Sequence, residues 1–167
     1  MLFLLSGSFG AGLAAGDVRA ILTAVDSVER PTITRINEIR REAGLKPLRV
    51  SIRLAEAAEA HALAMGHEGF FSHESADGTI FWKRIAKWYG SRGFAHWTVG
   101  ENLLWASPTV SPERAVELWL DSAPHRRVLL SPRWTQIGLA AVHVKNGTGV
   151  YNGLEVTIVT ADFGARY

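Results

Sequence analysis

One glutamate and two histidines carry the reactive chemistry that this sequence offers. Glu101 lies in Val99-Gly100-Glu101-Asn102, with Trp97 before it and Leu103, Leu104 and Trp105 after it. An acid among apolar neighbours is seldom buried unless it is paired, hydrogen-bonded or bound to a cation, so Glu101 is expected to have partners elsewhere in the chain. Gly100 allows a close approach that a side chain would forbid. His73 closes Phe70-Phe71-Ser72-His73, and His125 follows a proline in Ser122-Ala123-Pro124-His125-Arg126. Neutral imidazoles with one carboxylate suit zinc or another borderline divalent ion that keeps an open position for water. A carboxylate beside such a water can act as a general base. No short spacing joins the three residues, so any shared site has to be made by the fold. Neither a Gly-x-Ser-x-Gly nucleophile motif nor a His-Glu-x-x-His zinc motif occurs.

The elements that must position them can be read from periodicity and capping. Asp17 could cap a helix to about Val28, with Val18, Ile21, Leu22 and Val25 on one face, and Pro31 ends it or starts the next. Ile33, Ile36, Ile39 and Ala43 then recur at near-helical spacing, with Gly44 placed to close the helix and Leu45 just beyond. Ser51 caps a helix from about Ile52 to Gly66, striped by Leu54, Ala55, Ala58, Ala62 and Met65. His61 on that stripe reads as a packed core histidine, and His67 as a partner of the helix C-terminus. Asp77-Gly78-Thr79 opens a third helix to about Tyr89, with Phe81, Ile85 and Trp88 inward. Residues 94–106 read as largely irregular with a short extended part. Ser111-Pro112-Glu113 is a helix start, running to about Ser122 with Ala115, Val116, Trp119 and Leu120 inward. Ala123-Pro124 stops it, and His125 to Leu130 is a short helical turn. Gln136 to Val144 and Leu154 to Phe163 flank two Asn-Gly pairs and read as a β-hairpin, apolar on both faces and therefore covered on both. Four or five helices followed by two or three antiparallel strands predict an α+β fold.

The 167 residues provide for one domain with a real core. A formal net charge of +2 with no basic block argues against nucleic acid as a partner. The absence of Cys excludes thiol and Cys-zinc chemistry and leaves the N-terminus to report the compartment. There, Met1-Leu2-Phe3-Leu4-Leu5 runs into a Gly- and Ala-rich stretch, which predicts a signal peptide over 1–16 and a single domain over 17–167. No other apolar run could span a bilayer.

Several stretches together resemble the CAP superfamily, the SCP-domain proteins that include cysteine-rich secretory proteins, antigen 5 and plant pathogenesis-related proteins. They are Asn37-Glu38-Ile39-Arg40, Gly44-Leu45-Lys46-Pro47-Leu48, Ala58-Glu59-Ala60-His61-Ala62, Phe71-Ser72-His73, Gly100-Glu101-Asn102, Ala115-Val116-Glu117-Leu118-Trp119, Ser122-Ala123-Pro124-His125-Arg126, Ile137-Gly138 and Asp162-Phe163-Gly164. Their order and spacing make the match, and the Cys-free pattern with Pro-His-Arg is similar to the bacterial branch. The resemblance implies an α-β-α sandwich, helices on both sides of a small antiparallel sheet, with a central cleft lined by two His and two Glu. It implies that His73 and His125 are the metal-binding pair, for zinc or another divalent ion, and that Glu101 is the first glutamate and the candidate catalytic base. The second glutamate's position holds Ser122, with Asp121 adjacent. Asn102 and Arg126 are expected to be structural, Arg126 as an ion-pair partner. Three readings follow: a secreted, periplasmic or extracellular binding domain for a lipid, glycan or cell-envelope partner; a metal-dependent, peptidase-like hydrolase; or a structural domain with a vestigial cleft. The aromatic-rich loops and the missing glutamate favour the first.

Overall fold

The computed structural model describes the backbone of residues 15–167 and the side chains from residue 28 onward. Among the described residues, five α-helices surround one four-stranded sheet. They are α1 (Ala15–Glu42), α2 (Ile52–Glu68), α3 (Phe81–Ala86), α4 (Pro112–Asp121) and α5 (Ala123–Leu129). The strands are β1 (Arg49–Val50), β2 (Trp97–Ala106), β3 (Gln136–Val144) and β4 (Val156–Arg166), in spatial order β1-β3-β4-β2. β1 runs parallel to β3, and the other two pairings are antiparallel.

Strand alternation sends successive side chains to opposite faces, and both faces are apolar, so helices cover both. Ile137, Leu139, Val159, Ala161 and Phe163 pack with Ile36 of α1, Trp119 of α4 and Leu129 of α5. On the other face, Leu103 and Ile158 meet Ala62 and Met65 of α2, while Leu54 and Ala57 pack with Ile85 and Tyr89. The result is the α-β-α sandwich.

Local signals explain most element ends. Gly44 is left-handed (φ 72°), with its N–H donating to Arg41 O and the Leu45 N–H to Arg40 O, which closes α1. Ser51 Oγ accepts from Leu54 N, and Ser111 Oγ accepts from Arg114 N ahead of Pro112. β3 lies hard against α2 because position 138 is glycine: a Cβ there would sit 2.0 Å from Ala55 N.

The structure corrects four expectations. Helix α1 does not break at Pro31; it runs through, and Thr32 and Thr34 hydroxyls donate to the carbonyls of Val28 and Arg30 beside the proline. The third helix is only Phe81–Ala86, and it is Tyr89 that is buried whereas Trp88 is 39% exposed. Residues 97–106 form a full ten-residue strand, and it precedes α4 in the chain. Helix α2 continues past Gly66 to Glu68, capped by left-handed Gly69, with His67 inside its last turn. Residues 1–14 of the expected signal peptide, and the side chains of Val18, Ile21, Leu22 and Val25, lie outside the described residues. Among the described residues no helix is long and apolar enough to cross a membrane.

Candidate functional site

The site is built on β2, the edge strand next to β4. Alternation places Glu101 and Asn102 on opposite faces of the sheet, and each holds one of the two histidines. Glu101 points toward the α2/α3 layer, where its Oε1 accepts from His73 Nδ1 at 2.7 Å. Its Oε2 accepts from Arg84 Nη2 of α3. Asn102 points toward the opposite layer and donates from Nδ2 to the backbone O of His125 on α5, at 3.0 Å. One strand thus fixes a loop histidine from one helical layer and the start of a short helix from the other. Gly100 is needed beside them, since a Cβ there would lie 2.6 Å from the Trp134 ring.

Burial divides the cluster sharply. The Glu101 side chain is 1% exposed and the Arg84 side chain 8%, whereas that of His73 is 50% exposed. His125 is half-buried. Burial pushes the Glu101 carboxyl up, but the His73 hydrogen bond and then the Arg84 charge outweigh it and hold the group below the ordinary value. Glu101 is therefore a carboxylate at neutral pH. Burial, and next the His73 charge, lower the His125 pKa, favouring its neutral ring. With Nδ1–H donated to Glu101, a neutral His73 ring keeps its lone pair on Nε2. This carboxylate–histidine arrangement is the one that prepares a metal-binding imidazole.

A second carboxyl lies behind the first. Asp162 of β4 sits directly across from Glu101 in the β2–β4 register and is fully buried. Burial, then the Glu101 charge, push its pKa well above the ordinary value. His61 of α2 is also buried in this layer, its Nε2 paired with Ser72 O at 2.8 Å and its ring against Phe70. Burial and the Arg84 charge lower its pKa, so it is a neutral core histidine as expected. Its bond to Ser72 steadies the residue before His73.

Among the expected site residues, Glu101 pairs with the His73 ring and Asn102 with the His125 backbone carbonyl, both from strand β2. Asp121 and Ser122 lie at the α4–α5 junction, Asp121 exposed and Ser122 half-buried, and Ser122 makes no side-chain cap bond. Arg126 corrects its expectation: it is exposed and has no ion-pair partner among the described residues. The arginine that pairs is Arg84, which sequence reading passed over, as it did the pairing of Asp162. Both carried a signal. Arg84 adjoins inward-facing Ile85, and Asp162 is an acid inside an apolar strand, the setting that drew attention to Glu101. Among the described residues no group of three or more His, Asp or Glu is arranged around a metal position. The histidine pair would supply two ligands, with water in the remaining positions.

Comparison with known proteins gives the family and supports the fold. The sequence profile of the cysteine-rich secretory protein (CAP) family matches residues 33–163. YkwD of Bacillus subtilis (strain 168) is 31% identical over 121 residues, covering 72% of this chain and 44% of that protein. The chain thus spans less than half the length of this relative. The crystal structure of an extracellular SCP-domain protein from Bacillus anthracis str. Ames aligns with a TM-score of 0.65 at 25% identity, over 92% of this chain and 44% of that one. An outer surface protein of Borrelia burgdorferi shares the fold at 23% identity, with a TM-score of 0.59 over 95% of this chain and 100% of that one. By its sequence profile, which matches most of its length, this chain belongs to the cysteine-rich secretory protein, or CAP, family.

Proposed function

We propose that this chain is an exported binding domain whose cleft presents His73 and His125 to a lipid, glycan or other cell-envelope component, with a divalent ion such as zinc on the histidine pair. The observation that carries the reading is the state of Glu101. Both of its oxygens are engaged, one by His73 and one by Arg84, and the side chain is almost wholly buried. A general base needs a free oxygen facing water. Glu101 instead orients the imidazole that faces solvent, and a hydrolase using it as base would first have to free one of its oxygens from a charge-assisted bond. The ion, when bound, would polarise a donor group of the ligand.

The reading is tested on protein purified from its native source, by elemental analysis together with mass spectrometry of extracted small molecules. The expected result is a divalent metal or an organic ligand that is lost in His73→Ala. A metal without any organic ligand, together with turnover that a chelator abolishes, would favour the hydrolase instead. Export belongs to the same reading: mature protein should begin between about Ala15 and Asp17. Intact-mass measurement decides it, since an intact Met1 end in a cytoplasmic fraction contradicts export.

A further inference from the structure

The segment from Phe81 to Phe94 combines two features that seldom occur together on a solvated surface. Trp82, Trp88 and Phe94 are 41%, 39% and 40% exposed. Lys83, Lys87 and Arg92 are exposed between them. From Gly78 to Gly100 the chain contains no acid. Asp77 borders the segment, its carboxyl lowered first by the Thr79 hydrogen bonds and only more weakly by Lys87. The remaining cation, Arg84, is spent on Glu101.

The surface is also held in shape. Tyr89 is fully buried and pins the turn after α3. Arg166 of β4 stacks over the Tyr89 ring at 4.0 Å and the Phe94 ring at 4.7 Å, and it donates to Gly90 O at 3.1 Å. Lys83 lies over the Trp82 ring, 5.5 Å from its centroid. Large rings remain exposed here although the neighbouring Ile85 and Tyr89 are buried. The fold therefore had apolar places for side chains of this segment and left these three outside.

We propose that the Phe81–Phe94 surface is a docking site for an anionic lipid bilayer, with Trp82, Trp88 and Phe94 entering the headgroup layer and Lys83, Lys87 and Arg92 meeting lipid phosphates. Indole rings prefer the interface between headgroups and acyl chains, and lysine stems can reach from apolar depth to the phosphate level. Cations alone would serve any polyanion; exposed tryptophans interleaved with cations match a surface that is both charged and apolar. The surface adjoins the histidine site, because the Phe81 ring packs against His73 with centroids 6.3 Å apart. Docking would bring His73 close to the lipid. The inference stands apart from the histidine site, whose residues it does not use.

The test is co-sedimentation of the full chain with phosphatidylcholine vesicles, with and without a minority of phosphatidylglycerol, at low and physiological salt. Binding should require phosphatidylglycerol and weaken with salt. Replacing one of the three cations by Gln should lower partitioning about fivefold, and replacing all three about a hundredfold. All three are exposed, so the variants should fold, which an unchanged thermal midpoint would verify. In parallel, lipids brominated near the headgroup should quench wild-type tryptophan fluorescence, and less so in a Trp82→Phe, Trp88→Phe variant. Equal binding to neutral vesicles, or vesicle binding that survives loss of all three cations, overturns the proposal. So does capture of a soluble poly(glycerol phosphate) in preference to vesicles without quenching by the brominated lipid, which would make the surface a polyanion site.

Discussion

A buried carboxylate is stable only in company, and Glu101 has its company on both oxygens. Removing one partner of a buried pair strands the other charge in a poor solvent. Glu101→Ala would leave Arg84 without its carboxylate and should cost roughly 3–5 kcal/mol, read from the urea midpoint. A midpoint equal to wild type would show that the pair is solvated in solution. The two acids of the site should respond oppositely to pH. The folded-state pKa of Glu101 lies below its unfolded value of 4.5, so its contribution is present above that pH and is lost as pH falls through the folded value. The folded-state pKa of Asp162 lies above its unfolded value of 3.8, so its relative contribution is complete below 3.8 and declines as pH rises. Asp162→Asn stays neutral throughout. Its stability relative to wild type should therefore increase from acid toward neutrality, and a difference independent of pH would contradict a neutral, proton-holding Asp162.

At the scale of elements, close backbone contact decides what can be changed. The would-be Cβ of residue 138 meets the backbone of Leu54 and Ala55, which cannot move without shifting α2. Gly138→Ala should cost about 1–3 kcal/mol or more, measured by thermal unfolding. The same elements show what the sequence makes legible. Capped helices were readable, because Ser51, Ser111-Pro112 and Gly44 are short-range signals with one mechanical meaning each. The β3–β4 hairpin was readable from its Val, Ile and Thr content. Strand β2 was not, because it carries Glu101 and Asn102 on successive positions and so lacks the alternation that marks a half-buried strand. Its polar residues are the site, and the site hides the strand. Pro31 misled because the threonines that make it tolerable act only once the helix exists. His73, Glu101 and His125 were legible as odd residues, but their grouping rested on resemblance. The pairing of Glu101 with Arg84 and Asp162 needed the β2–β4 register and the docking of α3, both long-range outcomes of packing.

For the whole molecule, the site exists only when both helical layers are docked on the sheet. His73 comes with the α2/α3 layer and His125 with α5 on the other, and edge strand β2 holds them through two adjacent residues facing opposite ways. The fold fixes which elements carry these side chains, but what the site binds depends on their chemistry. The central claim is that Glu101 orients His73, rather than reacting, so that the two imidazoles form a binding site open to water. Calorimetric titration of zinc in mildly alkaline buffer tests it most directly, on wild type, His73→Ala, His125→Ala and Glu101→Gln. The expected result is modest affinity in wild type, loss in either histidine variant, and a weakening of about 10- to 100-fold in Glu101→Gln, where only the orienting carboxylate charge is gone. Zinc binding by His73→Ala equal to that of wild type would contradict it.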